Sequence, residues 1–249
     1  KLVLDYFLPD KVYGDDPFTT AIEAPVPYSL GLRVLNGGYG PASAVKMESA
    51  QPEIVRNDLG LLIGFSLLGT EVNGVAKSGT LLADFGTIEA SKAGLARWTM
   101  QTTLMGEFTS FEADISHSDE LGGRLTSLIQ EVRTHTLVRD VQVDLPGRDA
   151  IRDFLGKDGA ALAVYESEAL DTTVTNLSSV AELVQTGSSE DGAVYELTLP
   201  ASVGPLYAGV DFPIGATYEI QSVGRSDGKV ISTNNAWISK SRERGTDPW

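Results

Sequence analysis

Cysteine is absent from the 249 residues, which excludes disulfides, thiol nucleophiles and cysteine-ligated zinc together. Only two histidines occur, His117 and His135, so metal centres built on several imidazoles are excluded and a hydrolytic triad has two residues to choose its base from. Positive charge is scarce: 19 Lys and Arg stand against 34 Asp and Glu, a net charge of −15. A surface of that sign repels phosphate backbones and anionic lipid, so nucleic acid is not an expected partner. The excess is spread evenly. Through Arg133 there are 10 basic and 17 acidic residues, and after it 9 and 17, giving −7 and −8. No apolar run approaches the roughly 18 to 20 residues of a helical membrane span, and no membrane insertion is expected. The chain starts at Lys1 without a methionine or signal-like stretch and stops at Asp247-Pro248-Trp249; both ends are read as boundaries of a segment of a larger protein.

What the sequence does contain is period-two alternation, the mark of strands with one buried face. Val26, Tyr28, Leu30, Leu32 and Val34 alternate with Pro27, Ser29, Gly31, Arg33 and Leu35. The pattern returns at Leu61, Ile63, Phe65 and Leu67, at Leu81, Ala83 and Phe85, at Ala96, Trp98, Met100 and Leu104, and at Phe111, Ala113 and Ile115. Turn residues separate the runs at Asn36-Gly37-Gly38, Asn57-Asp58, Asn73-Gly74 and Met105-Gly106-Glu107. Short strands at this spacing predict an all-β sandwich.

From about Thr134 the grammar repeats less cleanly. Val141, Val143 and Leu145 alternate, Pro146-Gly147 interrupts, and Asp149, Ile151, Phe154 and Leu155 have the three-and-four spacing of a short helix near 148–155 ended by Gly156. Strand candidates follow at 162–165, 180–184, 195–199, 218–223 and 236–239, divided by the hydrophilic turns Gly187–Gly192 and Ser226-Asp227-Gly228. The expected organisation is two sandwich-like modules, residues 1–133 and 134–249. No Gly/Ser- or Pro-rich linker divides them, and the near-continuous extended stretch from Arg124 to Leu145 predicts close coupling.

The segment 25–49, PVPYSLGLRVLNGGYGPASAVKMES, resembles the opening strands of the immunoglobulin-like cell-adhesion-related domains of bacterial and archaeal surface proteins. Asn36-Gly37-Gly38 and Gly40-Pro41-Ala42 stand where that family has its Asn-Gly turn and Gly-x-Ala stretch, and Leu81 to Met100 is similar to its next strand pair. The resemblance covers about residues 25–116 and rests on turns and core packing. It implies a non-enzymatic module of an extracellular or cell-surface protein and carries over no site residues. Near Ala216 to Ser239 the second half loosely resembles a fibronectin type III sandwich, with Tyr218 and Trp237 as core aromatics.

Chemistry-bearing motifs are few. Gly64-Phe65-Ser66-Leu67-Leu68 lacks the second glycine of a nucleophile elbow, and Gly37-Gly38-Tyr39-Gly40 precedes a strand and reads as a turn. Asp119 and Glu120, in the His117–Gly123 loop, and Asp15 and Asp16, close to Asp10, are candidate calcium ligands, because a hard cation takes clustered oxygens. A solvated turn is the favoured alternative for the His117–Gly123 loop. Asp140, Asp144, Arg148, Asp149, Arg152 and Asp153 are read as a solvated charged face around the short helix, with Asp144–Arg148 and Asp149–Arg152 as surface pairs. Asn176-Leu177-Ser178 is a glycosylation sequon, more readily a chance occurrence. No catalytic residue and no cofactor other than calcium is expected. The sequence thus points to a non-catalytic structural or interaction segment of a secreted or surface protein. The alternatives are a calcium- or carbohydrate-binding adhesion module and an accessory domain of a secreted hydrolase or toxin. Partners would be other domains of the same protein, a surface protein or a glycan, with self-assembly by strand donation a further expectation.

Overall fold

The computed structural model describes residues 1–49, 53–54, 63–110, 113–116, 128–190, 192–212 and 219–239. Among the described residues the regular structure is strand, apart from 3-10 turns at Ser178–Val180 and Thr233–Asn235. In chain order the strands are β1 (Leu2–Leu8), β2 (Lys11–Val12), β3 (Tyr28–Asn36), β4 (Ala42–Ser49), β5 (Glu53–Ile54), β6 (Phe65–Val72), β7 (Val75–Lys77), β8 (Leu82–Ile88), β9 (Ala93–Thr102) and β10 (Gly106–Ser110). There follow β11 (Ala113–Ser116), β12 (Ile129–Val141), β13 (Asp153–Asp158), β14 (Ala161–Tyr165), β15 (Asp171–Asn176), β16 (Glu182–Ser189), β17 (Gly192–Thr198), β18 (Leu206–Tyr207), β19 (Val223–Gly224) and β20 (Val230–Ile231).

One ten-stranded sheet, in the order β18-β15-β14-β13-β12-β1-β3-β9-β6-β7, organises the molecule. Its hinge is β1, which pairs antiparallel with β3 and parallel with β12. A parallel partner cannot be reached by a hairpin, so the chain from β2 to β11 forms the crossover between them. β1 is buried along its whole length. Residues on its two faces enter different cores, since alternate side chains point opposite ways.

Leu2, Leu4, Tyr6 and Leu8 join Leu30, Leu32 and Val34 of β3 and Ala96, Trp98 and Met100 of β9 on one face of the sheet. Val45 and Met47 of β4 and Ala83 and Phe85 of β8 cover them from a second, three-stranded sheet ordered β11-β4-β8. Each buried Leu, Val, Phe or Met side chain among them contributes about 1.5 to 3 kcal/mol. Trp98 is a core residue, as its alternation implies. A second apolar cluster, Val141, Leu155, Leu162, Val164 and Val174, lies further along the large sheet and is flanked by Tyr207 and Trp237.

The Asn73-Gly74 turn is as expected, with positive φ at both residues closing β6 onto β7. Met105-Gly106-Glu107 is not a turn, because Gly106 and Glu107 begin β10 and pair with β2. The short helix expected near 148–155 is also absent. Residues 145–152 form a turn and bends, and Asp153–Asp158 is strand β13 in the large sheet. The three-and-four spacing misleads here because Phe154 and Leu155 serve opposite faces of a strand buried on both sides.

The division expected after Arg133 falls inside β12, which runs unbroken from Ile129 to Val141. Strands from both halves share one sheet. The C-terminal stretch is held to the end of β12 by Asn235, whose side-chain oxygen accepts from Gln142 N at 2.8 Å and whose amide donates to Gln142 O at 2.7 Å. Residues 219–222 and 236–239 carry no strand, and Tyr218 lies outside the described residues.

Candidate functional site

The face of the large sheet opposite Leu4 and Tyr6 concentrates the ionisable residues. Asp5 on β1 stands between Arg33 on β3 and Arg133 on β12 in register. Phe7 follows, between Gly31 and His135. Further along come Phe154 and Tyr165, paired across β13 and β14. The sheet curls round this face. Arg33 on β3 reaches Asp171 on β15 at 2.6 Å, although β1, β12, β13 and β14 lie between them in sheet order. The same curl brings the Phe154 ring against Gly31, where a β-carbon would fall 2.5 Å from Phe154 Cε1. Phe7 stacks on Phe154 at 4.5 Å and on His135 at 5.1 Å, and the Arg33 guanidinium lies 4.9 Å from the centre of the Tyr165 ring.

Inside this fold the charges satisfy one another. Asp5 Oδ2 accepts from Arg33 Nε and Nη2 at 2.9 and 2.7 Å, and Asp5 Oδ1 accepts from Arg133 Nε at 2.6 Å. His135 Nε2 lies 3.3 Å from the same Oδ1, while Nδ1 lies 2.8 Å from Asp158 Oδ2. Tyr165 donates its hydroxyl hydrogen to Asp158 Oδ2 at 3.0 Å. Burial works to raise the Asp5 pKa, but the His135 hydrogen bond and the two arginines outweigh it and hold the carboxyl at about 2. Burial likewise works against imidazolium at His135, yet hydrogen bonds and charge from Asp5 and Asp158 raise its pKa above the usual value.

A second network adjoins the first. Arg97 on β9 pairs with Glu71 on β6, lies 3.0 Å from Asp140 on β12, and donates Nη2 to the Arg152 carbonyl at 3.0 Å. Arg152 returns to Glu71 at 2.8 Å. Beyond it, buried Glu166 accepts from Arg148 and Thr172. Asp153, also buried, accepts from Ser167 N at 2.8 Å. Loss of solvent around Asp153, with Glu168, Glu166 and Asp149 nearby, pushes its pKa up to about 7 against that hydrogen bond.

These contacts correct the solvated face expected of residues 140–153. Asp153 is buried, Arg148 serves Glu166, Arg152 serves Glu71, and Asp144 pairs with Lys229 at 2.8 Å. The expected pairs presuppose a helix, and the chain there is turn and strand. Asp119 and Glu120 lie outside the described residues, as does His117. Asp15 Oδ1 accepts from Glu23 N at 3.0 Å and Asp16 Oδ1 from Phe18 N at 3.0 Å, so both carboxylates close the loop that leads to β3. Asp16 is buried and Asp10 is exposed at the end of β1. Among the described residues no group of three or more acidic or imidazole side chains is disposed to hold a metal.

His135 meets two carboxylates and a tyrosine hydroxyl, and no serine or threonine hydroxyl is among its described partners. Its surroundings are filled by Phe7, Phe154 and Tyr165. The shallow cleft between Gln142–Asp149 and Val230–Ser232, about 310 Å³, lies elsewhere and is lined mainly by polar atoms. The arrangement can hold a proton and orient side chains, with His135 itself 5% exposed and its partner Asp158 half exposed. No protein-family model, no curated protein and no solved structure matches the chain. The Asp5–His135 network was missed in the sequence. The signal was the acidic residue inside the otherwise apolar run Leu2–Leu8, a buried charge that requires a partner.

Proposed function

We propose that the chain is a non-catalytic structural segment of a larger secreted or cell-surface protein, in which one sheet locks sequence-distant strands into a single mechanical unit. The observation that supports this most is the consumption of its reactive groups. Asp5, Arg33, Arg133, His135 and Asp158 bind one another across β1, β3, β12 and β13, where a catalytic site would leave them facing a cleft. A charge cluster of this kind fixes strand register more than it adds stability, because desolvation offsets much of the Coulomb gain. Cysteine-free packing on three clusters suits a module that needs no redox partner to fold.

The reading is tested by unfolding and by turnover together. Urea unfolding followed by tryptophan fluorescence and by far-ultraviolet dichroism should give coincident transitions. Ester, glycoside and phosphoester substrates should show no turnover above buffer. Turnover that disappears in His135→Gln would overturn the non-catalytic reading, and recovery of the parent protein from the cytosolic fraction alone would overturn the surface location.

A further inference from the structure

Asn176-Leu177-Ser178 stands at the end of β15, where the chain enters the 3-10 turn Ser178–Val180. Asn176 is exposed, and its Oδ1 accepts from Ser178 N at 3.0 Å and from Ser178 Oγ at 2.7 Å. A backbone N–H can only donate, so the amide oxygen is the atom turned inward and Nδ2 is left outside. Among the described residues Nδ2 donates to nothing. Elsewhere the chain closes such turns with a carboxylate: Asp16 accepts from Phe18 N, Asp84 from Gly86 N, Asp149 from Ile151 N and Asp227 from Lys229 N. Asn36 closes one too, but its Nδ2 donates to Gly40 O and Ile88 O. Asp would serve the Asn176 turn equally well, so the turn does not account for the amide nitrogen.

β15 pairs with β18 in parallel, which sets Asn176 beside Tyr207 with both side chains on the same face of neighbouring strands. Tyr207 is half-buried, and its ring lies 6.1 Å from that of Trp237. Its phenol end turns to the sequon. A β-carbon at Gly209 would lie 2.9 Å from Tyr207 Oη and 3.6 Å from Ser178 Oγ, and Gly209 N donates to that Oγ at 2.8 Å. An outward carboxamide nitrogen therefore stands next to an aromatic ring that is still partly open to solvent.

We propose that Asn176 carries an N-linked oligosaccharide whose first sugar packs on the Tyr207 ring. The donor is a lipid-pyrophosphate-linked oligosaccharide. The bond from Nδ2 to the anomeric carbon forms, the bond from that carbon to the pyrophosphate oxygen breaks with its electron pair going to the leaving group, and Nδ2 gives up one proton. Leu177 at the middle position is compatible, since only proline is excluded there. Sugar C–H groups meet the electron-rich face of the ring, an apolar contact that needs no charge on either side. The proposal rests on the secreted or cell-surface reading, because the transferase acts on exported chains.

The full chain is directed into the secretory pathway of a eukaryotic cell, which supplies transferase and donor whatever the location of the parent protein. Peptide mass spectrometry should find Asn176 glycosylated, and peptide-N-glycosidase should remove the oligosaccharide and leave Asp at 176, a readout that needs no variant. Asn176→Asp keeps both hydrogen bonds of the turn and should lose the modification, while Ser178→Thr should keep it. Enzymatic removal should lower the thermal midpoint by about 2 to 4 °C. In Tyr207→Leu, which stays apolar beside Trp237, removal should shift the midpoint much less. Both measurements carry the same conversion of Asn176 to Asp, so their difference reports the ring contact. An unmodified Asn176 in the secreted chain, sugar retained in Asn176→Asp or lost in Ser178→Thr, or an equal shift in Tyr207→Leu would each overturn the proposal. These outcomes leave the location reading untouched, which falls instead if the parent protein is recovered from the cytosol alone.

Discussion

Asp5 and Arg33 face each other across β1 and β3 with both side chains fully buried, and Arg33 directs Nε and Nη2 onto the same Asp5 oxygen. Removing one member leaves the other charge in the interior. Arg33→Ala should therefore destabilise the chain by about 3 to 5 kcal/mol. The volume-conserving pair Asp5→Leu/Arg33→Met should cost much less than the single substitution. Urea midpoints of the two variants check the difference, and a smaller loss in Arg33→Ala would mean that Arg133 alone compensates Asp5.

The two titrating residues of the network give stability a window in pH. Asp5 has a lowered folded pKa, so its contribution is present above its ordinary value of 3.8 and is lost as pH falls towards about 2. His135 has a raised folded pKa, so its contribution is complete below 6.5 and is lost as pH rises through the folded value. The groups facing His135 are Asp5 from β1, Asp158 from β13 and Tyr165 from β14. His135→Gln should lessen the alkaline decline, leaving the part that comes from Asp153, and keep the acid limb in place. Unfolding free energies measured at successive pH values would show a parallel decline in both proteins if His135 were not the titrating group.

Much of the first sheet pair was legible in the sequence because large apolar residues alternate with polar or small ones along its strands. Leu30, Leu32 and Val34 face the core while the alternate positions differ from them in character, and that contrast is what periodicity detects. β1 gave no such contrast. Leu2–Leu8 is buried on both faces, and its parallel partner β12 begins at Ile129, too far along the chain for local patterning to reveal. The same double burial hid β13, where Asp153 and Phe154 read as helix positions. The ionic network escaped for a related reason: Asp5, Arg33, His135 and Asp171 sit on four strands that only the curl of the sheet assembles.

Asp153 behaves in the opposite sense to Asp5. Its folded pKa of about 7 means that stability is greatest below 3.8 and falls as pH rises through about 7, because the folded state must then hold a buried carboxylate beside Glu166, Glu168 and Asp149. Asp153→Asn keeps an oxygen to accept the Ser167 N–H and removes the charge. The substitution should stabilise the chain at pH 8 by about 1 to 3 kcal/mol and leave it unchanged at pH 4. Thermal unfolding at the two pH values tests this, and equal effects at both would exclude titration of Asp153 as the cause.

Gly31 has no side chain because the Phe154 ring occupies the space. A β-carbon there would lie 2.5, 2.8 and 2.9 Å from Phe154 Cε1, Cζ and Cδ1, closer than carbon atoms approach. Phe154 is itself fixed by the stacked Phe7 ring and by Arg97, whose guanidinium lies 4.9 Å from its centre, so the ring cannot retreat freely. Gly31→Ala should thus cost about 1 to 3 kcal/mol by overpacking. Phe154→Leu alone leaves space and should also destabilise, by an amount set by how far the core relaxes. Combined, the two should be less harmful than their sum, since the smaller side chain gives the new methyl group room. A double-mutant cycle of unfolding free energies measures that coupling, and strict additivity would mean that β3 and β13 do not meet across the curled sheet in solution.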